Sequence, residues 1–253
     1  MRARVFAERN KKELLRDPLS YIFCLGFPIV MLLVMTLVNN SIPKEANMLI
    51  FRIDYLSSGI AVFGLAFIML FTCLMVSKDR SSAFLLRLYA SPMSASDFIM
   101  GYLFPLFGIA LVQCVISYAA AWVISMAVGV ELSVGRLLLA VLVLVPGAML
   151  FIAVGLLFGT LCNDKAAPGI CSIIITVSAI LGGIWMDVEN LTGGLKTLCE
   201  ILPFYHMVLA ARNTVLGNDT EILPHLLIVC AYMAVLLVLA IIVFSAKRQK
   251  DLR

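Results

Sequence analysis

Long runs of apolar residues, each about the length of a membrane span, alternate along this chain with short polar segments. A run of 18 or more apolar residues is typical of a helix that crosses the hydrocarbon core of a bilayer. The runs of this length cover residues 19–38, 56–76, 98–128, 137–161, 169–186 and 226–244. The pattern predicts six transmembrane helices, and Pro105 is expected to divide the long third run into a short interfacial piece and a span.

The composition agrees with a membrane domain. The 253 residues are 62% hydrophobic and 13% charged, whereas a soluble domain has about 25% charged residues. The longest segment between predicted spans, residues 187–225, is too short for a soluble domain of its own. We therefore predict an all-α membrane protein with a single transmembrane domain over residues 1–253.

Lysine and arginine are shared unevenly between the two sides of the predicted bundle, which indicates its orientation. Fourteen of the 19 basic side chains fall on the side that holds both chain ends. Both termini are therefore predicted to be cytoplasmic, in the plasma (inner) membrane. The apolar run after the basic start is longer than that of a cleaved signal, so we expect it to remain as a helix. The net charge of +4 reflects this asymmetry, and no nucleic-acid partner is predicted.

The predicted spans are nearly free of ionisable side chains, which argues against a proton relay or an ion path within them. Gln113 is their strongest polar group. The sequence has no phosphate-binding loop, no nucleophile elbow and no HExxH motif. His206 and His225 have no carboxylate or cysteine at ligand spacing. We predict no catalytic, cofactor-binding or metal-binding residue, so energy for uphill transport must come from another chain.

Two glycines, Gly155 and Gly159, have the GxxxG spacing that lets another helix approach closely. We expect this pair to pack helices within the chain rather than between two copies of it.

The first 18 residues indicate a surface helix. If residues 3–16 are helical, Val5, Phe6, Leu14 and Leu15 provide apolar contacts among the basic residues. This pattern is typical of a basic amphipathic helix that lies on a membrane surface. The alternative is a plain basic tail that only determines topology.

The segment 78–97 is polar overall, but its pattern predicts a short helix with one basic face and a large apolar surface. On a helical wheel of residues 80–90, Arg80 and Arg87 share one narrow face. The remaining surface is covered by five large apolar residues: Phe84, Leu85, Leu86, Leu88 and Tyr89. A short helix that lies partly buried in the membrane–water interface, or docked on a partner, accounts for both the two arginines and the large apolar surface.

Two local signals close this segment. Ser91-Pro92 should end the short helix, because the residue before proline disfavours the α conformation. Ser94 and Asp97 then have the spacing of a capping box, which starts the next helix.

Residues 187–225 predict two short helices separated by Pro203. Each is about eight residues, or roughly 12 Å, and so too short to cross a core of about 30 Å. They either dip into the membrane and return, as re-entrant helices, or lie at its surface. Two interpretations remain open: a cap over helix ends, and an outer gate formed by Leu198, Leu202, Pro203, Phe204 and Tyr205.

Together these segments resemble the membrane subunit of type-2 ABC transporters, the ABC-2 permease family, over nearly the whole chain. The stretches that carry the resemblance are LLRDPLSYIFCLGFPIVMLL, LLRLYASPMSASDFIMGYLF and LKTLCEILPFYHMVLAARN. The resemblance implies six spans that form half of a translocation unit. A second permease copy or a paralogue forms the other half. A separate ABC ATP-binding subunit, which holds ATP and Mg²⁺, docks on the cytoplasmic side.

The resemblance also implies roles for individual residues. The loop 78–97 is expected to carry a coupling helix that receives the ATPase stroke, through Asp79, Arg80, Phe84, Leu85, Arg87, Leu88, Ser91 and Pro92. The interfacial helix is expected to border lipid and the ATPase through Arg4, Arg9, Lys12 and Arg16. This chain has Asp79-Arg80-Ser81 where the family often has Glu-Arg-Glu, and Leu202-Pro203 where it often has Asn-Pro.

The resemblance implies a non-enzymatic permease that exports its substrate. Because the spans have few ionisable groups, we expect an amphiphilic or largely apolar cargo, such as a drug, a peptide or a lipid-like molecule. One alternative is a carrier or channel that acts alone, which would need ionisable groups in the spans. Another is a membrane scaffold that anchors a cytoplasmic partner.

Overall fold

The computed structural model describes residues 2–18, 22–43, 49–82, 84–89 and 93–251, and its regular elements there are all helical. The helices are α1 (Arg2–Leu15), α2 (Phe27–Ser41), α3 (Ile53–Ser81), α4 (Phe84–Tyr89), α5 (Ala95–Val128), α6 (Val134–Val143), α7 (Val145–Leu161), α8 (Ala167–Leu181), α9 (Gly194–Ile201), α10 (Pro203–Leu216) and α11 (Asp219–Asp251). A π-helical turn, Ile22–Gly26, leads into α2, and a short 3₁₀ turn, Leu49–Phe51, precedes α3. This confirms the predicted all-α class.

Within the described residues, five helical stretches are long and apolar enough to cross a membrane: Ile22–Ser41, Ile53–Ser81, Ala95–Val128, Val134–Leu161 and Asp219–Gln249. They match five of the six predicted spans. The span predicted at 169–186 corresponds to α8, which has 15 residues. At 1.5 Å per residue α8 is about 22 Å long, less than a hydrocarbon core of about 30 Å. A sixth membrane-crossing helix is therefore not confirmed by length.

The centre of the bundle is α3, which packs against α2, α5, α7, α8 and α10. Its contact with α7 is close because α7 presents Gly155 and Gly159 to it. A Cβ added at Gly155 would lie 2.5 Å from the Met69 carbonyl oxygen, and one at Gly159 would lie 2.8 Å from the Cys73 carbonyl oxygen. The GxxxG pair thus packs two helices of the same chain, as predicted.

The outer helices α2 and α11 expose much of their apolar surface. Large side chains exposed on them include Leu33, Leu37, Leu227, Val235, Val238 and Ile242. An apolar helix surface of this kind is compatible with a hydrocarbon environment.

The helix α5 contains Pro105 and continues through it from Ala95 to Val128, so the predicted break is wrong. Proline has no N–H, so the carbonyl of Gly101, four residues earlier, loses its helical donor. The Nδ2 of Asn10 in α1 donates to that oxygen at 3.0 Å. Asn10 is buried. The acceptor released by the proline is therefore satisfied by α1, which lies against α5 at this point.

This contact predicts a dependence between Asn10 and Pro105. Asn10→Leu should lower the free energy of unfolding by about 1–3 kcal/mol, because the buried Gly101 oxygen loses its donor. In a Pro105→Ala background the backbone N–H that alanine restores at this position serves that oxygen, so the same substitution should cost clearly less. Thermal unfolding midpoints of the four proteins in detergent measure this difference. Equal costs in the two backgrounds would contradict the proposed compensation.

Candidate coupling site

Four helical segments meet at one end of the bundle: α1, the last turns of α3, the short helix α4 and the first turns of α5. We call this region the α1 junction. Its central side chains are Phe6, Arg9, Asn10, Asp79, Phe84, Phe98 and Tyr102. The end of α11 lies behind it, with the ring of Phe244 5.8 Å from that of Phe98.

A single carboxylate joins three of these helices. Asp79, in the last turn of α3, has a side chain only 3% exposed. It accepts hydrogen bonds from Arg9 Nη1 at 2.8 Å and Nη2 at 2.9 Å, and from the Tyr102 hydroxyl at 2.8 Å. Burial lowers the pKa of Arg9, but hydrogen bonding and charge attraction to Asp79 outweigh this and raise it overall. The two parallel hydrogen bonds give the pair a defined orientation.

Aromatic packing surrounds this ion pair. The Phe6 ring lies 5.0 Å from Tyr102 and 5.6 Å from Phe98, in edge-on arrangements, which favour ring attraction. A Cβ at Gly101 would overlap the Phe6 ring. The helix α1 therefore lies in a notch on α5 that depends on glycine at this position.

The short helix α4 is attached to α1 through the same arginine. The Arg9 guanidinium carbon lies 4.2 Å from the centroid of the Phe84 ring, within cation–π range. Leu85 is buried in the bundle core, and Leu88 packs against it. Arg9 thus contacts both Phe84 of α4 and Asp79 of α3.

The single helix predicted for residues 80–90 is wrong. Helix α3 continues to Ser81, and α4 begins separately at Phe84. Arg80 consequently belongs to α3, where its Nη1 donates to the Thr160 carbonyl near the end of α7. The helical wheel assumed one uninterrupted helix, so it assigned Arg80 to the wrong element.

The structure does not test the remaining residues predicted for coupling. The side chain of Arg87, and both Ser91 and Pro92, lie outside the described part of the chain. The capping box is confirmed: Asp97 N donates to Ser94 Oγ at 3.2 Å, and Ser94 N donates to Asp97 Oδ2 at 2.9 Å. Contact of any of these residues with a partner stays a prediction.

The helix predicted for residues 3–16 is confirmed as α1, its place on the membrane surface stays a prediction, and its predicted apolar face is partly wrong. Phe6 and Leu14 are buried, whereas Val5 is 68% exposed and Leu15 is 55% exposed. The inward face follows Phe6, Asn10 and Leu14 at a spacing of four residues. Because Asn10, at the centre of that face, is polar, a search for apolar positions does not predict that it is buried.

The basic residues predicted on α1 do not share one role. Arg9 points inward to Asp79, and Lys12 pairs with Glu8 at 3.5 Å. Arg4 and Arg16 are exposed. The contacts of Arg9 with Asp79 of α3 and Phe84 of α4 were not predicted from the sequence.

At the opposite end of α3, the predicted pair of short helices is present as α9 and α10, which are separated by the extended residue Leu202. Helix α10 has 14 residues, more than predicted. Phe204 stacks on Phe151 of α7 at 5.8 Å. Tyr205 is buried in a small cluster, whereas Leu198 is 44% exposed. Pro203 is buried and Leu202 half-buried, so the five predicted gate residues do not form one surface.

Two histidines that sequence spacing left unassigned meet here. His206 Nδ1 of α10 lies 2.8 Å from His225 Nδ1 of α11, and His206 Nε2 lies 2.7 Å from the Glu200 carbonyl oxygen. A carbonyl only accepts, so His206 Nε2 carries its proton and His206 Nδ1 accepts from His225 in the neutral pair. This chain of hydrogen bonds joins α9, α10 and α11. Among the described residues no group of three His, Cys, Asp or Glu is placed to hold a metal ion.

A buried arginine also holds α10. Arg212 is 7% exposed, donates to the Gly183 carbonyl at 3.2 Å and lies 5.2 Å from the Tyr55 ring centroid in the first turn of α3. Burial lowers the pKa of its guanidinium. In the sequence, Arg212 is one of the five basic residues on the side opposite the chain ends, and its burial was not predicted.

The long apolar helices, together with a surface helix bound across their ends, define a multi-pass helical membrane protein. The model of a protein family described as "ABC-2 family transporter protein" matches residues 50–242 of this chain. The chain therefore belongs to the ABC-2 transporter family, which confirms the resemblance found in the sequence. It is also 31% identical over 94 residues to a protein of Bacillus subtilis (strain 168) provisionally named transport permease YvfS. That match covers 37% of this chain and 38% of the relative.

Proposed function

We propose that this chain is the membrane permease subunit of an ATP-binding-cassette exporter that moves an amphiphilic or largely apolar molecule out of the cytoplasm. The family match and the name of the Bacillus relative support a transport role. A separate subunit binds ATP and Mg²⁺ and hydrolyses the nucleotide. A second permease copy or a paralogue completes the path across the plasma membrane.

The observation that carries this proposal is the linkage at the α1 junction. Two surface helices, α1 and α4, are joined to α3 and α5 through Arg9 and Asp79. The carboxylate end of this linkage is buried, where charge-assisted hydrogen bonds are stronger than in water. A partner that pushes on α4 would therefore move α3, which is the centre of the bundle.

The positions of the helix ends support six crossings with both termini on the cytoplasmic side. Helix α7 ends at the α1 junction, where Arg80 contacts Thr160. Helix α11 also ends there, because Arg248 lies 5.6 Å from the Phe98 ring centroid. The chain must therefore return to the opposite end between α7 and α11. Helix α8 makes this crossing together with the turns that follow it, while α9 and α10 remain at the far side as re-entrant helices.

The test is reconstitution with a candidate ATP-binding subunit in proteoliposomes. The two proteins should co-purify, and transport should require ATP. Phe84→Ala should leave the complex intact but reduce coupled transport by roughly tenfold, because it removes about 1–2 kcal/mol of contact between α4 and Arg9. Phe23→Ala is the matched control, since it removes an aromatic contact with Phe67 outside the junction.

Two outcomes would contradict the proposal. Transport without ATP or a partner would indicate a carrier or channel that acts alone. Equal losses in Phe84→Ala and Phe23→Ala would show that α4 has no special part in coupling.

A further inference from the structure

A groove runs beside the α1 junction, between α1, the π-helical turn Ile22–Gly26 and α5. Its cavity volume is about 470 Å³. Leu15 and Leu25 line one side, and Phe104 and Val112 of α5 line the other. Apart from Lys11, the described residues that line this groove are all apolar. The groove thus combines one cation with an extended hydrophobic floor.

The floor is a stripe along α5. Phe104, Gly108 and Val112 follow one another at a spacing of four residues, so the stripe is about 12 Å long. A Cβ added at Gly108 would meet no atom within 4 Å, which shows that the space above this glycine is open. The dimensions and apolar lining suit a hydrocarbon chain.

The charges of α1 are compensated on one face and not on the other. Glu8 pairs with Lys12, while Glu13 pairs with Arg9 at 2.6 Å and with Lys78 at 3.5 Å. Lys11 forms no ion pair with any described residue, and neither does Arg4, seven residues before it on the same helical face. The uncompensated positive charge therefore lies on the face that carries the groove.

We propose that this groove binds an anionic phospholipid, with one acyl chain along the α5 stripe and the headgroup phosphate on Lys11. Arg4 adds positive potential to the same face. The proposal rests on the proposed placement of α1 at the membrane surface. Anionic lipids are attracted to basic side chains at that depth, and the apolar stripe adds burial of the chain. The lipid holds α1 against α5 from the outside, while Asn10 does so from the inside.

Native mass spectrometry of the purified full chain in detergent tests this site, with dioctanoyl phosphatidylglycerol and dioctanoyl phosphatidylcholine as probes. The wild type should bind phosphatidylglycerol in preference. Lys11→Glu should weaken phosphatidylglycerol binding by about five- to tenfold and leave phosphatidylcholine binding unchanged. Lys165→Glu is the matched control, since Lys165 is an exposed lysine in the loop after α7, at the same end of the bundle.

A second variant tests the acyl-chain stripe. Gly108→Leu fills the open space and should weaken binding of both lipids. Glycerol phosphate, a headgroup without chains, should not displace bound phosphatidylglycerol.

Three results would overturn the proposal: equal losses in Lys11→Glu and Lys165→Glu, unchanged binding in Gly108→Leu, or displacement by glycerol phosphate. Capture of the ATP-binding subunit is measured on the same samples. Failure of the lipid site is thereby distinguished from failure of the proposed function.

Discussion

Arg9→Ala is expected to lower the thermal unfolding midpoint of the protein by on the order of 10 °C. The substitution removes the cation from a carboxylate that is 3% exposed and has no other described ion-pair partner. Leaving a buried charge without its partner costs about 2–4 kcal/mol when the partner, like Arg9, is itself partly exposed. In a chain of this size each kcal/mol corresponds to about 2–4 °C. Thermal unfolding in detergent, followed by loss of monodisperse protein, measures the shift.

Two further variants separate the buried charge from other causes. Arg16→Ala removes an exposed arginine from the next residue after α1 and should change the midpoint by no more than about 2 °C. The double variant Arg9→Met with Asp79→Asn removes both charges and keeps an amide oxygen as acceptor for the buried Tyr102 hydroxyl, and replacing both members of a buried ion pair is often close to neutral. Most of the lost stability should therefore return. A double variant as unstable as Arg9→Ala would mean that the ion pair is not the source of the effect.

The membrane spans were predictable because each helix satisfies its own backbone hydrogen bonds and needs only an apolar surface. Five of six predicted spans appear as long helices for this reason. Helix α8 is shorter than the predicted span, because Gly182 and Gly183 end it before the hydrophobic run ends. Gly183 has a φ of +68°. The hydropathy of residues 169–186 does not distinguish such a turn from a continued helix.

The site was less predictable because its contacts join residues far apart in the chain. The features predicted correctly, such as the Ser94–Asp97 capping box and the helix break at Pro203, each depend on a few neighbouring residues. Arg9 and Asp79 are 70 residues apart, and each was interpreted as a surface charge. The helix break predicted at Pro105 was wrong for the same reason. The carbonyl oxygen of Gly101, which the proline leaves without a helical donor, accepts a hydrogen bond from Asn10 on another helix.

The second large effect is expected at Gly155, where Gly155→Ala should destabilise the protein and Gly155→Leu should prevent its purification as a folded monodisperse species. The added Cβ lies 2.5 Å from the Met69 carbonyl oxygen and 2.6 Å from Thr72 Cβ. Neither is the end of a flexible side chain, so α3 itself must shift. Overpacking of this kind costs about 1–3 kcal/mol, and more for a larger side chain.

Gly169→Ala is the matched control, because its added Cβ would meet no atom within 4 Å at the start of α8. Alanine in a helix is favoured over glycine by up to about 1 kcal/mol, so this variant should be as stable as the wild type or slightly more so. The two substitutions are chemically identical, but Gly155→Ala should lower the unfolding midpoint and Gly169→Ala should not. If the GxxxG pair instead joined two copies of the chain, Gly155→Ala would alter the oligomeric state in cross-linking and leave the midpoint of the monomer unchanged. Because Gly155 faces the α3 backbone, we expect the reverse: a lower midpoint with an unaltered oligomeric state.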